Sequence, residues 1–81
     1  MRLDFRSTKR GYTLELSEDL FGFFILHRRW YSLSSKRGGR KQQVFTEYQD
    51  AMHEIEQIVR VRSRHGYQQT IEGAQFFKPK N

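Results

Sequence analysis

Positive charges and glycines are concentrated in one short stretch of the chain, between residues 32 and 41. The stretch contains no acidic residue, and its cations flank a pair of glycines: Lys36, Arg37, Gly38, Gly39, Arg40 and Lys41. Glycine lets backbone N–H groups approach a phosphate closely, and the neighbouring cations attract it. This composition therefore favours a loop that holds the phosphates of a polyanion. A solvated loop that is basic only for solubility is the alternative interpretation.

Two large rings and two arginines lie just upstream, at the end of a predicted strand. A basic patch with interleaved rings suits a phosphate backbone together with a stacked base or sugar. Because neighbouring side chains of a strand alternate, Arg29 and Tyr31 would point outward if Trp30 points inward. Burial of Trp30 in the core is the simpler interpretation in a domain so rich in aromatic residues. The sequence predicts a nucleic-acid-binding surface of eight residues, namely Arg28, Arg29, Trp30, Tyr31, Lys36, Arg37, Arg40 and Lys41.

Residue types that carry catalysis or bind metals are present but are not arranged for either. No two of the histidines His27, His53 and His65 have a metal-ligand spacing such as i, i+4, and the chain has no cysteine. No G-x-S-x-G turn surrounds the serines, and Gly38-Gly39 belongs to neither a Walker loop nor a dinucleotide loop. We therefore expect a protein that is not an enzyme, with no catalytic residue, no bound metal and no cofactor.

Length and charge limit the classes of protein that the chain can represent. Its 81 residues are enough for one domain and leave little material for a deep cleft. The formal net charge of +6 favours nucleic acid over a membrane surface as the partner. The longest apolar run, residues 23–26, is far shorter than a membrane span, and the N-terminus does not resemble a signal peptide. We expect a soluble, monomeric, cytoplasmic protein that does not bind membranes.

Alternating apolar residues predict four strands ahead of a single helix. The apolar positions of the first two strands are Leu3, Phe5, Tyr12, Leu14 and Leu16. Gly11 is predicted to lie in the turn between these two strands, where glycine tolerates a positive φ. A third strand is predicted over residues 23–31 and a short fourth strand over residues 42–45, with residues 32–41 forming the loop between them.

The predicted helix opens at Thr46 and ends before Gly66. Thr46 is a good N-cap, Gln49 completes a capping box, and Gly66 is a natural residue to follow the helix. Apolar residues repeat at helical spacing on one face, at Tyr48, Met52, Ile55 and Val59. The order of elements predicts an α+β domain in which a four-stranded antiparallel meander carries one C-terminal helix packed on the sheet.

Further cations and rings lie at the end of the helix and in the tail. Four basic residues end the helix, namely Arg60, Arg62, Arg64 and His65. The helix dipole alone explains them, and they become a binding surface only if they lie beside the basic loop. The tail carries the apolar pair Phe76-Phe77. We expect residues 1–67 to form one domain and residues 68–81 to be a polar and aromatic tail that is partly disordered.

The order of several motifs resembles that of the WGR domain family. The motifs are Asp19-Leu20-Phe21-Gly22, the apolar strand ending at Trp30, the basic glycine loop, Phe45, the helix, and Gly66-Tyr67. The family is named for a Trp-Gly-Arg run. In this chain Trp30 is followed by Tyr31 and Ser32 instead, and Ser34 replaces a frequent glycine. The chain is therefore similar to a divergent, stand-alone, bacterial-type member.

The resemblance implies DNA binding. In DNA-repair poly(ADP-ribose) polymerases the family's Trp and Arg help to contact DNA near a break, and of these two only Trp30 is present here. DNA is favoured over RNA as the partner. A protein-interaction module is the alternative, in which the same strand edge or the Phe76-Phe77 pair docks an acidic partner protein.

Overall fold

The computed structural model describes residues 1–69, which form five strands and one helix. The helix stands between the last two strands in the order β1 (Arg2–Arg6), β2 (Arg10–Glu18), β3 (Phe24–Ser32), β4 (Gly38–Phe45), α1 (Tyr48–Arg64) and β5 (Gln68–Gln69). Of the tail predicted over residues 68–81, residues 70–81 with the Phe76-Phe77 pair lie outside the described residues, and Gln68–Gln69 form β5.

All strands belong to one antiparallel sheet in the order β4-β3-β2-β1-β5. The predicted α+β class and the meander of the first four strands are confirmed, whereas the strand number of four is wrong because β5 adds a fifth. The two residues of β5 pair with Phe5 and Arg6 of β1. A strand of two glutamines has no apolar alternation, so the sequence pattern carried no signal for it.

One face of the sheet packs against α1 and forms the core. The buried side chains alternate along the strands and include Leu3, Phe5, Leu14 and Leu26, which meet the apolar stripe of α1 centred on Ile55. This alternation follows from the period of two along a strand. The opposite face, which we call the open face, is covered by no element within residues 1–69.

The structure corrects three predicted boundaries. The helix begins at Tyr48 with Glu47 as its N-cap, in an extended conformation and without a side-chain cap hydrogen bond, so the capping box predicted at Thr46 is wrong. Edge-to-face contact between Phe24 and Tyr48, whose ring centres lie 5.4 Å apart, joins the start of α1 to β3 instead. The predicted loop is shorter than expected, because β3 continues through Ser32 and β4 begins at Gly38, leaving residues 33–37 as the turn.

Candidate nucleic-acid interface

Trp30 lies near the C-terminal end of β3, on the face of the sheet that carries α1. Its cross-strand neighbours are Tyr12 on β2 and Gly39 on β4. The Tyr12 and Trp30 ring planes are nearly parallel, at 17°, with ring centres 6.3 Å apart. A Cβ atom built on Gly39 would lie 2.7 Å from Cζ2 of Trp30, so only glycine lets the indole rest there. The ring is fixed on two sides and keeps 40% of its surface exposed.

Tyr31 repeats this arrangement on the open face. Its ring lies over Gly11, where an added Cβ would overlap the phenol ring. Gly11 is therefore a residue of β2 that permits a close approach, and the prediction that it lies in the turn with a positive φ is wrong. The Arg29 guanidinium lies 5.9 Å from the centre of the Tyr31 ring. Arg29 and Tyr31 thus emerge together on the face opposite Trp30, as the alternation of side chains predicts.

Arg62, at the end of α1, is held against two tyrosine rings. Its guanidinium carbon lies 4.7 Å from the ring centre of Tyr12 and 5.4 Å from that of Tyr67. The buried Nε of Arg62 has no hydrogen-bond partner among the described residues. The rings attract this cation through their π faces, and no ion pair neutralises its charge within residues 1–69.

The end of α1 explains why Tyr67 reaches Arg62. Gly66 has a φ of +83°, its N–H donates to the Ser63 carbonyl oxygen, and the Tyr67 N–H donates to the Arg62 carbonyl oxygen. These two bonds form a Schellman motif, which turns the chain back over the last helical turn. The predicted position of Gly66 directly after the helix is confirmed, and its consequence is that Tyr67 packs edge-on to Tyr12.

Arg28 connects the sheet to the helix. Its Nε donates to the Tyr12 hydroxyl oxygen at 2.9 Å, and a terminal nitrogen donates to Oε1 of Gln43 at 3.0 Å. The Gln43 amide nitrogen donates in turn to Oε2 of Glu54 on α1 at 3.0 Å. Arg28 therefore holds the Tyr12 ring in place, and its remaining N–H groups are available to a ligand.

These side chains enclose a groove of about 630 Å³ between the end of α1 and the β3–β4 turn. We call it the groove and define it by its lining residues: Arg10, Tyr12, Arg28, Trp30, Tyr31, Ser32, Ser35, Arg37, Gly38, Arg62 and Tyr67. The lining contains four arginines and no carboxylate. A cavity with cations and rings and without any acid is suited to a ligand that combines negative charge with a flat apolar part.

The strand register pairs cations of the same sign on both faces. Arg28 lies directly opposite Lys41 on the side of α1, and Arg29 lies directly opposite Arg40 on the open face. Like charges directly across a sheet destabilise it. None of the four forms an ion pair with a carboxylate of residues 1–69. An anion bound beside each pair would relieve this repulsion.

A family model for the WGR domain matches residues 3–74. The chain belongs to the WGR domain family. WGR domains are generally nucleic-acid-binding modules. The match confirms the resemblance that the motif order indicates, and it extends over β1 and β2 as well. Comparison with curated proteins found no match, and comparison with solved structures found none either.

The structure divides the eight predicted site residues of this WGR domain between two faces. Arg28, Trp30 and Lys41 lie on the side of α1, whereas Arg29, Tyr31 and Arg40 lie on the open face. Lys36 and Arg37 lie in the turn that joins the two faces. The turn region contributes a second space of about 650 Å³ whose lining includes six of the eight, namely Arg29, Trp30, Tyr31, Lys36, Arg37 and Arg40.

Sequence reasoning missed the part of this WGR domain's groove that β2, α1 and Tyr67 contribute. Tyr12 and Tyr67 have the pattern of ordinary core residues, and Arg62 is one of four basic residues that the helix dipole already explains. Of those four, only Arg62 lines the groove, which Arg37 of the basic turn also lines. One signal for this part of the groove was present in the sequence. Tyr12 has the pattern of a core residue, and the hydroxyl of a buried tyrosine needs a hydrogen-bond partner.

Other surfaces of this WGR domain have fewer features of a binding or catalytic site. Within residues 1–69 no group of three or more histidine or acidic side chains could hold a metal ion, and no helix is long and apolar enough to cross a membrane.

The turn between β2 and β3, at the far end of these strands from the groove, carries Leu20 and Phe21, which are 100% and 84% exposed. Asp19 holds this turn by accepting hydrogen bonds from the N–H groups of Phe21 and Phe23, both at 2.9 Å.

Proposed function

We propose that this WGR domain binds nucleic acid, without catalysis, through the groove and the turn beside it. The observation that carries the proposal is the groove lining, which combines four arginines with the rings of Tyr12, Trp30 and Tyr67 and contains no carboxylate. Phosphates would contact Arg10 and Arg37 at the rim, and a base or sugar would stack on the exposed part of Trp30.

The remaining predicted residues have distinct roles in the proposal. Lys36 and Arg37 in the turn would meet phosphates first, and Arg40 and Lys41 would extend the basic track along β4. Arg28 would act mainly by holding Tyr12. Contacts to phosphate carry no sequence information, so binding would be largely independent of sequence and would weaken steeply with salt.

The test is a fluorescence anisotropy titration of labelled single-stranded DNA, blunt duplex, nicked duplex and RNA at several salt concentrations. We expect micromolar affinity or better, with log K falling by about 0.7 per phosphate contacted on a single strand, or about 0.9 on a duplex, for each tenfold rise in salt. Trp30 is the chain's single tryptophan, so quenching of its fluorescence on binding reports stacking at that residue alone.

Two charge-reversed variants separate the proposed site from the general charge of the protein. Arg37→Glu with Arg40→Glu should lower affinity for every sequence alike. Arg6→Glu with Arg64→Glu makes the same change in net charge at exposed positions outside the groove and should retain most of the affinity. Equal losses in the two variants would show that only net charge matters, and no loss in the first would show that the turn does not bind nucleic acid.

A second candidate function is protein docking, and the exposed Leu20 and Phe21 favour it. Two adjacent large apolar side chains that an ordered turn holds in solvent are suited to an interaction surface. Sequence analysis also left open that the basic strand edge docks an acidic partner protein. The response to salt distinguishes a protein interface from nucleic-acid binding. Heparin and high salt should abolish nucleic-acid binding at the groove, whereas an interface built on apolar anchors should keep most of its affinity.

A further inference from the structure

The edge strand β4 separates two cationic and aromatic surfaces. No strand pairs with its outer edge among residues 1–69. On the side of α1 the Trp30 ring lies over Gly39 of this strand, and on the open face Arg40 lies directly opposite Arg29. Consecutive residues of β3 thus present two rings, Trp30 and Tyr31, on opposite faces of the sheet.

The spaces on the two faces are of similar size. The groove on the side of α1 measures about 630 Å³, and a cavity on the open face measures about 690 Å³. The lining of the open-face cavity has five cations and one carboxylate, Glu15; the cations are Arg2, Arg28, Arg29, Arg40 and Lys41. Between them lies the space of about 650 Å³ beside the turn, which touches Trp30 from one face and Arg29 and Tyr31 from the other. Arg37 lines both this space and the groove, and Arg29 and Arg40 line both this space and the open-face cavity, so cations continue around the end of the hairpin.

Both faces also carry the same unfavourable feature. Each has a pair of like charges directly across the β3–β4 ladder, Arg28 with Lys41 and Arg29 with Arg40. An anion bound on one face relieves only the pair on that face, because the other pair lies on the far side of the sheet. A single ligand relieves both pairs only if it carries several negative charges and reaches both faces.

We propose that the ligand is single-stranded nucleic acid that wraps around the edge of β4 and contacts both faces at once, an inference that rests on the proposed function. A duplex has a persistence length of about 150 base pairs and cannot bend over the edge of a single sheet. A single strand is flexible, and its unpaired bases can stack on Trp30 on one side and on Tyr31 on the other.

The test compares oligonucleotides of increasing length with a duplex. Labelled single strands of about 4 to about 16 nucleotides span the usual range of site sizes for such surfaces. Arg29→Gln with Arg40→Gln removes the pair on the open face, and Arg10→Gln with Arg37→Gln removes two cations of the groove. The variants are matched in charge, and the four positions are all exposed.

The groove variant should weaken binding of every oligonucleotide. The open-face variant should weaken only single strands long enough to wrap, and should leave the shortest strands and the duplex unchanged. Loss of two phosphate contacts lowers the salt slope on long single strands by about 1.4, which corresponds to roughly 25-fold in affinity at about 0.1 M salt.

Three results would overturn the inference. Duplex binding as tight as that of the long single strands would show that one face suffices. An open-face variant that binds all lengths like the wild type, or that weakens all lengths equally, would show that the strand does not pass around β4. Any of these three results leaves the proposed function standing as long as the groove variant still loses affinity, whereas no binding of any nucleic acid removes both proposals.

Discussion

The close approach of Trp30 to Gly39 predicts the effect of adding a single methyl group. In Gly39→Ala the new Cβ would lie 2.7 Å from Cζ2 of Trp30 and 2.8 Å from Cε2 and Nε1. Carbon atoms in contact normally lie about 3.5–4.0 Å apart, so the indole must move by about 1 Å. Tyr12 stands on its other side. The ring must therefore tilt outward, into the groove.

The expected magnitudes follow from the exposure of the ring. Overpacking costs about 1–3 kcal/mol, and the lower end applies because Trp30 is 40% exposed and can swing into solvent. A loss of about 1 kcal/mol corresponds to a fall in Tm of about 4–8 °C in a domain of this size. Binding should suffer more, because a base that stacks on an aromatic side chain contributes about 1–3 kcal/mol, or roughly 5-fold to 150-fold in affinity.

Intrinsic fluorescence and thermal unfolding measure both effects on the same sample. In Gly39→Ala the emission of Trp30 should shift to the red and become easier to quench with iodide, Tm should fall, and affinity for single-stranded DNA should drop. Val44→Ala, an exposed change on the opposite face of the same strand and outside the three cavities, should alter none of these. Wild-type emission in Gly39→Ala would refute the packing argument, and shifted emission with unchanged affinity would refute stacking on Trp30.

Three further substitutions test other parts of the structure. Arg62→Met, which removes the cation from between Tyr12 and Tyr67, should lower the free energy of unfolding by about 1–2 kcal/mol in urea titrations. Asp19→Ala leaves the N–H groups of Phe21 and Phe23 without their acceptor and should cost about 1 kcal/mol, with no change in DNA affinity. Ser32→Arg restores the arginine of the family signature at the groove, and the salt dependence of duplex binding should steepen by about 0.9.

Local periodicity was sufficient to predict most of the fold. The alternation of Leu3, Phe5 and Leu14 places these side chains in the core, and the stripe through Ile55 places α1 on the same face. These signals depend only on the periods of strands and helices. The start of α1 was misplaced because Thr46 has the residue type of an N-cap without making its hydrogen bond.

The site was harder to predict because it depends on register. Gly38-Gly39 has the composition of a loop, and only the pairing of β3 with β4 shows that Gly39 lies beneath the Trp30 ring. The same pairing places Arg29 and Arg40 face to face and divides the predicted surface between two sides of the sheet. The contact of Arg62 with Tyr12 joins distant parts of the chain, and no local pattern reports such a contact.

The departure from the family signature is consistent with this two-sided geometry. The family has glycine where this chain has Tyr31, and a tyrosine there needs room on the open face. Gly11 of β2 pairs with Tyr31 of β3 and has no side chain, so it leaves room for the tyrosine ring. The tyrosine at one position therefore depends on the glycine at the other. Glycine in a strand interior weakens the sheet, and a chain of this size has little stability to spare. A ring on the open face at that cost, beside the like-charged pair of Arg29 and Arg40, is consistent with the binding role that we propose for this face.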